Sequence, residues 1–394
     1  MMKNFDCVVV GGGMVGAASA LTLANLGLNI AIVEVKPCEA FQPKSPFDLR
    51  VSAISAATQQ LLEQLDVWNL LSKKRMCPYS RLGVWESELS YTEFDSQTIK
   101  QPILGHIVEN RLIQLSLWEV IQNQHNITTF CPNTLLSFEQ YENEVIIELK
   151  GHTISSKLLI AADGANSKVR TLANIGVTGW DYGQSAMLIN VETELLQQNI
   201  TWQQFYETGP VAMLPLSGES ELGGYASLVW YHRKNEIKRL SSLSNHQLEL
   251  EVMKHFPERL GEIKVIDKGA FSLTRKHANT YQKNRVILLG DAAHTINPMA
   301  GQGVNIGFKD VKALQHVIAE AIGNGEAWFD VDVLSRYEKQ RRTDNLLMMT
   351  AMDALYVSFS HPSIIAKAAR NLGLFIANKS GAIKNKALAY ACGL

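Results

Sequence analysis

The stretch "VVVGGGMVGAASALTLANLGLNIAIVE", residues 8–34, constrains this chain more than any other. Residues 6–10 read as a buried strand, 16–26 as a helix of small residues and 29–34 as the next strand, which together make a βαβ unit. Gly11, Gly13 and Gly16 satisfy the spacing G-x-G-x-x-G at the strand-to-helix turn. Gly11 permits the tight turn, Gly13 lets a pyrophosphate approach the backbone, and Gly16 lets helix and strand pack closely. The N–H groups that open the helix then face the phosphate charge. Glu34 ends the second strand near the ~20-residue interval expected of a carboxylate on an adenosine ribose. The unit predicts an ADP-containing dinucleotide and leaves NAD and FAD equally open.

A chain of 394 residues is long enough for roughly two domains of about 150 residues each. The net charge of -1 argues against a nucleic-acid partner, because phosphate neutralisation needs a basic excess. Cys7, Cys38, Cys77, Cys131 and Cys392 are scattered and form no C-x-x-C pair, so neither a metal site nor a disulfide framework is expected. That usage suits a reducing, cytoplasmic compartment. The short apolar run at the N-terminus leads straight into the glycines and is not read as a signal peptide. No apolar stretch approaches the ~18 residues of a membrane span, so any membrane contact is expected to be peripheral.

Further along, residues 52–65 and 111–122 carry helical apolar spacing, and "RLGVWESELSYTEFD" alternates like an exposed strand pair. A hairpin-like stretch ends in a strand running into Asp163 and Gly164. From about residue 180 to 271 the segments become aromatic and alternating, and "RVILLGD" then returns to a buried parallel-strand pattern. The expected architecture is α/β: a Rossmann-like dinucleotide-binding domain, which its later strand-end loops assign to FAD, an inserted mainly β substrate domain and a helical C-terminus. The boundaries are 1–75, 100–179 and 272–345 for the first, 76–99 and 180–271 for the second, and 346–394 for the last. Residues 361–394 hold Lys367, Arg370, Lys379, Lys384 and Lys386 with no Asp or Glu, a basic amphipathic tail.

Two later strand-end loops decide between the dinucleotides. "LLIAADGANSKVR" stops at Asp163 and Gly164, and "RVILLGDAAHTINPMAGQGVNIGFKD" stops at Gly290 and Asp291. Such additional loops suit the longer FAD. Asp291 is placed to accept hydrogen bonds from ribityl hydroxyls. Residues 300–305, with Gly301, Gln302, Gly303, Val304 and Asn305, open a helix whose N-terminal dipole favours the negative charge of a reduced flavin ring. A side chain at Gly301 or Gly303 would hold the ring away.

The segments "GGGMVG", "ADGANSKVR" and "GDAAHTINPMAGQGVN", with "DLRVSAIS" around Arg50, resemble the single-component FAD-dependent aromatic hydroxylases, the family of 4-hydroxybenzoate hydroxylase. The last segment and its continuation to Asp310 are similar to the ubiquinone-biosynthesis branch, as are "VENRLIQLSLWE", "TWQQF", "SLVWY" and "NLGLFIANKSG". Most of that branch has His before the proline, where this chain has Asn297 before Pro298. The resemblance implies a substrate that is a polyprenyl benzoquinol, NADPH or NADH as a transient reductant, and O2 as cosubstrate. One oxygen atom goes to the ring and the other leaves as water. It also places Arg50 and Arg111 among the cofactor-binding residues. The rival readings are hydroxylation at another ring position and a noncatalytic FAD-bound scaffold subunit.

No acid or base is assigned, because the flavin itself carries the oxygen transfer. His294 is read as a brace of its loop rather than a general base, and Asn297 and Pro298 as neighbours of the ring. Trp202, Phe205, Tyr206, Met213, Trp230 and Tyr231 are read chiefly as core, with some lining the substrate cavity. The basic tail is read as a solvated helix face, or as a surface for anionic lipid or for partner proteins of a biosynthetic complex.

Overall fold

The computed structural model describes residues 3–297, 301, 303–361, 363–381, 384–386 and 388–389. Its organising element is a sheet whose parallel core runs Val286–Leu288, His152–Ala161, Lys3–Val10, Ile30–Val33 and Ile127–Phe130 in spatial order. These strands are apolar on both faces, as "IAIV" and "LLIA" show, because helices cover both sides of a parallel sheet. Val10 lies opposite both Val33 and Ala161, and Ala161 opposite Leu288. Four chain segments therefore leave the sheet side by side at its carboxyl edge. The hairpin Leu135–Gln140 and Val145–Leu149 pairs antiparallel with the first half of His152–Ala161.

The helix Met14–Ala24 is buried from Gly16 to Ala24. It lies against the helix Gly303–Gly323, where a side chain on Gly307 would come within 2.6 Å of Val15. The α/β class and the helical C-terminus agree with the sequence reading.

A second sheet of eight strands runs His294–Thr295, Ile263–Ala278, Val177–Thr193, Gly224–Arg233, Val211–Glu219, Ile200–Gln204, Arg81–Trp85 and Thr92–Asp95. One of its faces buries Trp85, Trp202, Met213 and Trp230 beneath helices Lys234–Ser242 and Asn245–His255. The other places Phe205 and Tyr231 against Phe359 of the helix Val331–Ser360. The aromatic residues read as core are thus shared between two layers.

Three local readings change. Residues 52–65 are not one helix, because Val51–Ser55 pairs antiparallel with Gly105–Glu109 and the helix begins at Ala56, capped by the Ser55 hydroxyl. The Arg81–Trp85 and Thr92–Asp95 pair is no exposed ribbon, because Ile200–Gln204 lies beside it in parallel and Trp85 is fully buried. The segment 180–271 also contains two helices, the second opened by a capping box of Ser244 and Gln247.

Candidate active site

At the carboxyl edge, Gly11 has φ +101, and a side chain there would lie 2.4 Å from the carbonyl oxygen of Ala162. A Cβ on Gly16 would lie 1.9 Å from the carbonyl oxygen of Gly11. Both glycines are demanded by the protein's own packing. Gly13 differs, since a Cβ there meets nothing within 4 Å and its backbone opens the helix Met14–Ala24 onto free space. That space in front of a helix N-terminus suits a pyrophosphate.

The turn is braced by residues that spacing did not reveal. The Gly12 carbonyl accepts the Trp118 indole N–H at 2.7 Å and the Gln114 amide at 2.8 Å, both from the helix Asn110–Ile121. Glu34 accepts the Gly12 N–H at 2.6 Å and the Lys36 N–H at 3.0 Å. Its carboxylate thus stands directly beside the glycine turn. Arg111 donates its backbone N–H to Asp48 at 3.2 Å and lines a 460 Å³ cleft with Glu39, Ser45, Phe47 and Asp48. Arg50 is exposed, with its guanidinium 5.7 Å from the centre of the Phe271 ring on the second sheet.

The next loop is shaped by Asp163, whose one oxygen accepts the backbone N–H groups of Lys168 at 2.7 Å and Val169 at 3.1 Å. Its other oxygen is buried and has no partner among the described residues. Gly164 follows with φ +81. Buried Arg170 then ties two loops together, donating to the carbonyls of Ala292 at 2.8 Å and Ala165 at 3.0 Å. Asp291 is exposed to solvent, yet protein atoms crowd its carboxyl. That crowding raises the carboxyl above the usual range, against the opposing charges of His294 and Arg50.

His294 is buried, and its Nε2 is 2.5 Å from Asp310 Oδ2, the oxygen that also accepts the Gly290 N–H at 3.0 Å. The other Asp310 oxygen accepts Arg341 Nε at 2.8 Å and Asn345 Nδ2 at 3.1 Å. Burial alone would raise the Asp310 carboxyl, but His294 and Arg341 outweigh it and hold it at about 2. His294 is therefore placed as a brace of the Gly290–Asp291 turn. Tyr281 joins this network through Asn345 at 3.2 Å and His277 at 2.9 Å. None of Asp310, Arg341, Asn345, Tyr281 or His277 had been given a role from sequence.

Asn305 is likewise a fastener: its oxygen accepts from the Ser55 N–H at 3.1 Å and the Thr58 hydroxyl at 2.8 Å, and its nitrogen donates to Ala53 at 2.8 Å. Gly301 has φ +62, Gly303 has no neighbour among the described residues within 4 Å of a built Cβ, and Val304 packs on the main core. Pro298 and Gln302 lie outside the described residues. Asn297 is 1% exposed, and among the described residues neither its amide nitrogen nor its amide oxygen has a hydrogen-bond partner. A buried amide left unpaired is costly. With Gly13, Gly303 and the free Asp163 oxygen, it leaves donors, acceptors and open backbone along one edge, which fits a long polar cofactor such as FAD.

The FAD binding domain family matches residues 4–350 of this chain. The 3-demethoxyubiquinol 3-hydroxylase of Escherichia coli is 44% identical over 390 residues, covering 99% of this chain and 98% of that protein. The ubiquinone hydroxylase UbiL of Rhodospirillum rubrum is 32% identical, covering 99% and 90% respectively. The p-nitrophenol 4-monooxygenase PnpA of Pseudomonas putida shares the fold at a TM-score of 0.81 and 19% identity, covering 98% of this chain and 97% of that one. This chain belongs to the FAD binding domain family and is an FAD-dependent monooxygenase.

Proposed function

We propose that the protein hydroxylates the ring of a polyprenyl benzoquinol in ubiquinone biosynthesis, at the 3-demethoxyubiquinol step. The observation that carries this reading is the near full-length 44% identity to the Escherichia coli 3-demethoxyubiquinol 3-hydroxylase. When bound, FAD supplies the chemistry: reduced by NADH or NADPH, it activates O2 for transfer of one oxygen atom to the ring.

The chain's own residues do the holding. Gly11 and Gly16 shape the first turn, Gly13 admits the pyrophosphate, and Glu34 takes the adenosine ribose, with Arg111 and Arg50 toward the cleft. Asp163, Gly164 and Asp291 line the middle of the cofactor. Gly301, Gln302, Gly303, Val304 and Asn305 present the helix N-terminus to the ring, and Asn297 and Pro298 stand beside it. His294, fixed by Asp310, keeps the Asp291 turn in place. Residues 76–99 and 180–271 form the substrate domain in this reading, and the apolar second sheet excludes water from the reacting ring. The protein works in the cytoplasm at the inner face of the membrane, where a polyprenyl quinol resides.

The test is NAD(P)H oxidation with a short-chain quinol, followed by mass spectrometry of the product. Quinol-dependent oxidation with a product heavier by one ring oxygen is expected. Bound FAD with no quinol-dependent oxidation and no hydroxylated product would instead indicate a noncatalytic scaffold.

A further inference from the structure

The helix Ile364–Lys379 is attached to the protein the wrong way round for an ordinary surface helix. Its inward side is polar. Arg370 donates to buried Glu86 at 2.6 Å and caps the preceding helix through the Ser358 carbonyl at 2.7 Å. Asn371 bonds Ser87 at 2.9 Å and Glu86 at 3.0 Å, and Asn378 donates to the Tyr91 carbonyl at 3.1 Å. Leu374 is its apolar inward contact.

The opposite side is apolar and faces solvent. Ile365, Leu372 and Ile376 are 82%, 58% and 57% exposed, and exposed Ala368 and Ala369 fill the stripe between them at helical spacing. Lys379 is exposed at the end of this stripe, Lys367 is exposed in the first turn on the other side of the helix, Lys386 is exposed just beyond the helix with half-buried Lys384 before it, and no Asp or Glu follows Asp353 in the sequence. None of these four lysines forms an ion pair among the described residues.

We propose that this helix is an interfacial docking face for an anionic lipid bilayer. An exposed apolar stripe on a segment whose only charges are cationic is the composition of a helix lying in the headgroup plane, with its apolar face among acyl chains. No helix of the described residues is long and apolar enough to cross a membrane. A second copy of the chain is the poorer occupant, because self-pairing would bring two sets of lysines together without a carboxylate to offset them. The underside of the same helix joins an apolar cluster of Leu374, Phe359, Phe205, Tyr231 and Phe271, and Phe271 is the ring beneath Arg50. The lipid-facing element is thereby packed onto the layer that reaches the candidate active site. The proposal draws its purpose from the quinol reading, but its test is independent of it.

The experiment is co-sedimentation with phosphatidylcholine vesicles, with and without phosphatidylglycerol, comparing the FAD-loaded wild type with Leu372→Glu/Ile376→Glu and with Lys367→Gln/Lys379→Gln/Lys386→Gln. Binding to the anionic vesicles only, released by salt and weakened at least about tenfold in both variants, is expected. Both variants should keep the flavin absorbance and short-chain quinol turnover. A wild type that ignores anionic vesicles, or a Leu372→Glu/Ile376→Glu variant that binds equally well, overturns the proposal. So does a wild-type dimer that this variant turns into a monomer, since the face is then covered by a second copy. Vesicle binding without quinol hydroxylation would leave the docking face standing and remove the functional reading.

Discussion

At the scale of single residues, glycines that look alike in sequence do different work. Gly16 touches the Gly11 carbonyl across 1.9 Å once a Cβ is built, whereas Gly13 meets nothing. Gly16→Ala is therefore expected to destabilise the apoprotein by at least about 2 kcal/mol, because neither contacting backbone can yield. Gly13→Ala should leave apoprotein stability within about 0.5 kcal/mol of wild type. It should nevertheless weaken FAD binding by roughly tenfold or more, since the methyl group enters the space a pyrophosphate needs. Denaturant unfolding of the apoprotein and fluorescence titration with FAD separate the two effects; equal stability losses in both variants would contradict the assignment of that space. Glu34 was singled out by its interval alone, and the structure sets its carboxylate on the Gly12 N–H. Trp118 and Gln114, which brace the same turn through Gly12, carried no spacing signal because they come from a helix, 106 and 102 residues away respectively.

At the scale of elements, the structure is held together by buried charge at a few joints. Arg341 of the helix Val331–Ser360 meets Asp310 of Gly303–Gly323, and Arg275 of the second sheet lies 2.8 Å from Asp353, which also accepts the Tyr182 hydroxyl. The last joint is Arg370 with Glu86, both almost fully buried, which fastens the terminal helix to the strand pair at residues 81–95. Removing one partner strands the other charge in the interior, at a cost of about 3–5 kcal/mol. Arg370→Met should therefore release the helix Ile364–Lys379, seen as faster proteolysis near residues 361–363 and a lower melting temperature. Glu86→Gln/Arg370→Met, which removes both charges, should recover much of the loss. Unchanged proteolysis in the single variant would mean that Asn371 and Asn378 suffice to hold the helix.

At the scale of the whole molecule, the buried network beneath the flavin loops ties stability to pH. Burial, with the charges of Arg342, His294 and Arg275, lowers His277 to about 4. The unfolded chain binds a proton at His277 below about pH 6.5 while the folded chain does not, so its contribution is complete above that value and is lost as pH falls toward 4. The loss amounts to about 3 kcal/mol at most, and His277→Gln should flatten the melting-temperature profile between pH 6.5 and 4; an unaltered slope would exclude His277 as its source. Asp310 adds a lower step: held at about 2, it stabilises the fold above the ordinary carboxylate range of about 4, and that contribution disappears as pH falls from 4 toward 2. The sequence by itself determined the βαβ unit, the strand-end loops and the family, because these rest on local spacing and on backbone positions that only glycine tolerates. It also showed that the tail is basic and amphipathic. Only the tertiary structure decided which side of that tail faces inward, since the choice belongs to Glu86, a partner 284 residues away from Arg370. Asp310 follows the same rule: its letter stood in the motif, but its work depends on Arg341 and Asn345, which only folding brings to it. Periodicity reveals that a helix has two faces, and long-range pairing of buried charge selects the one that is covered.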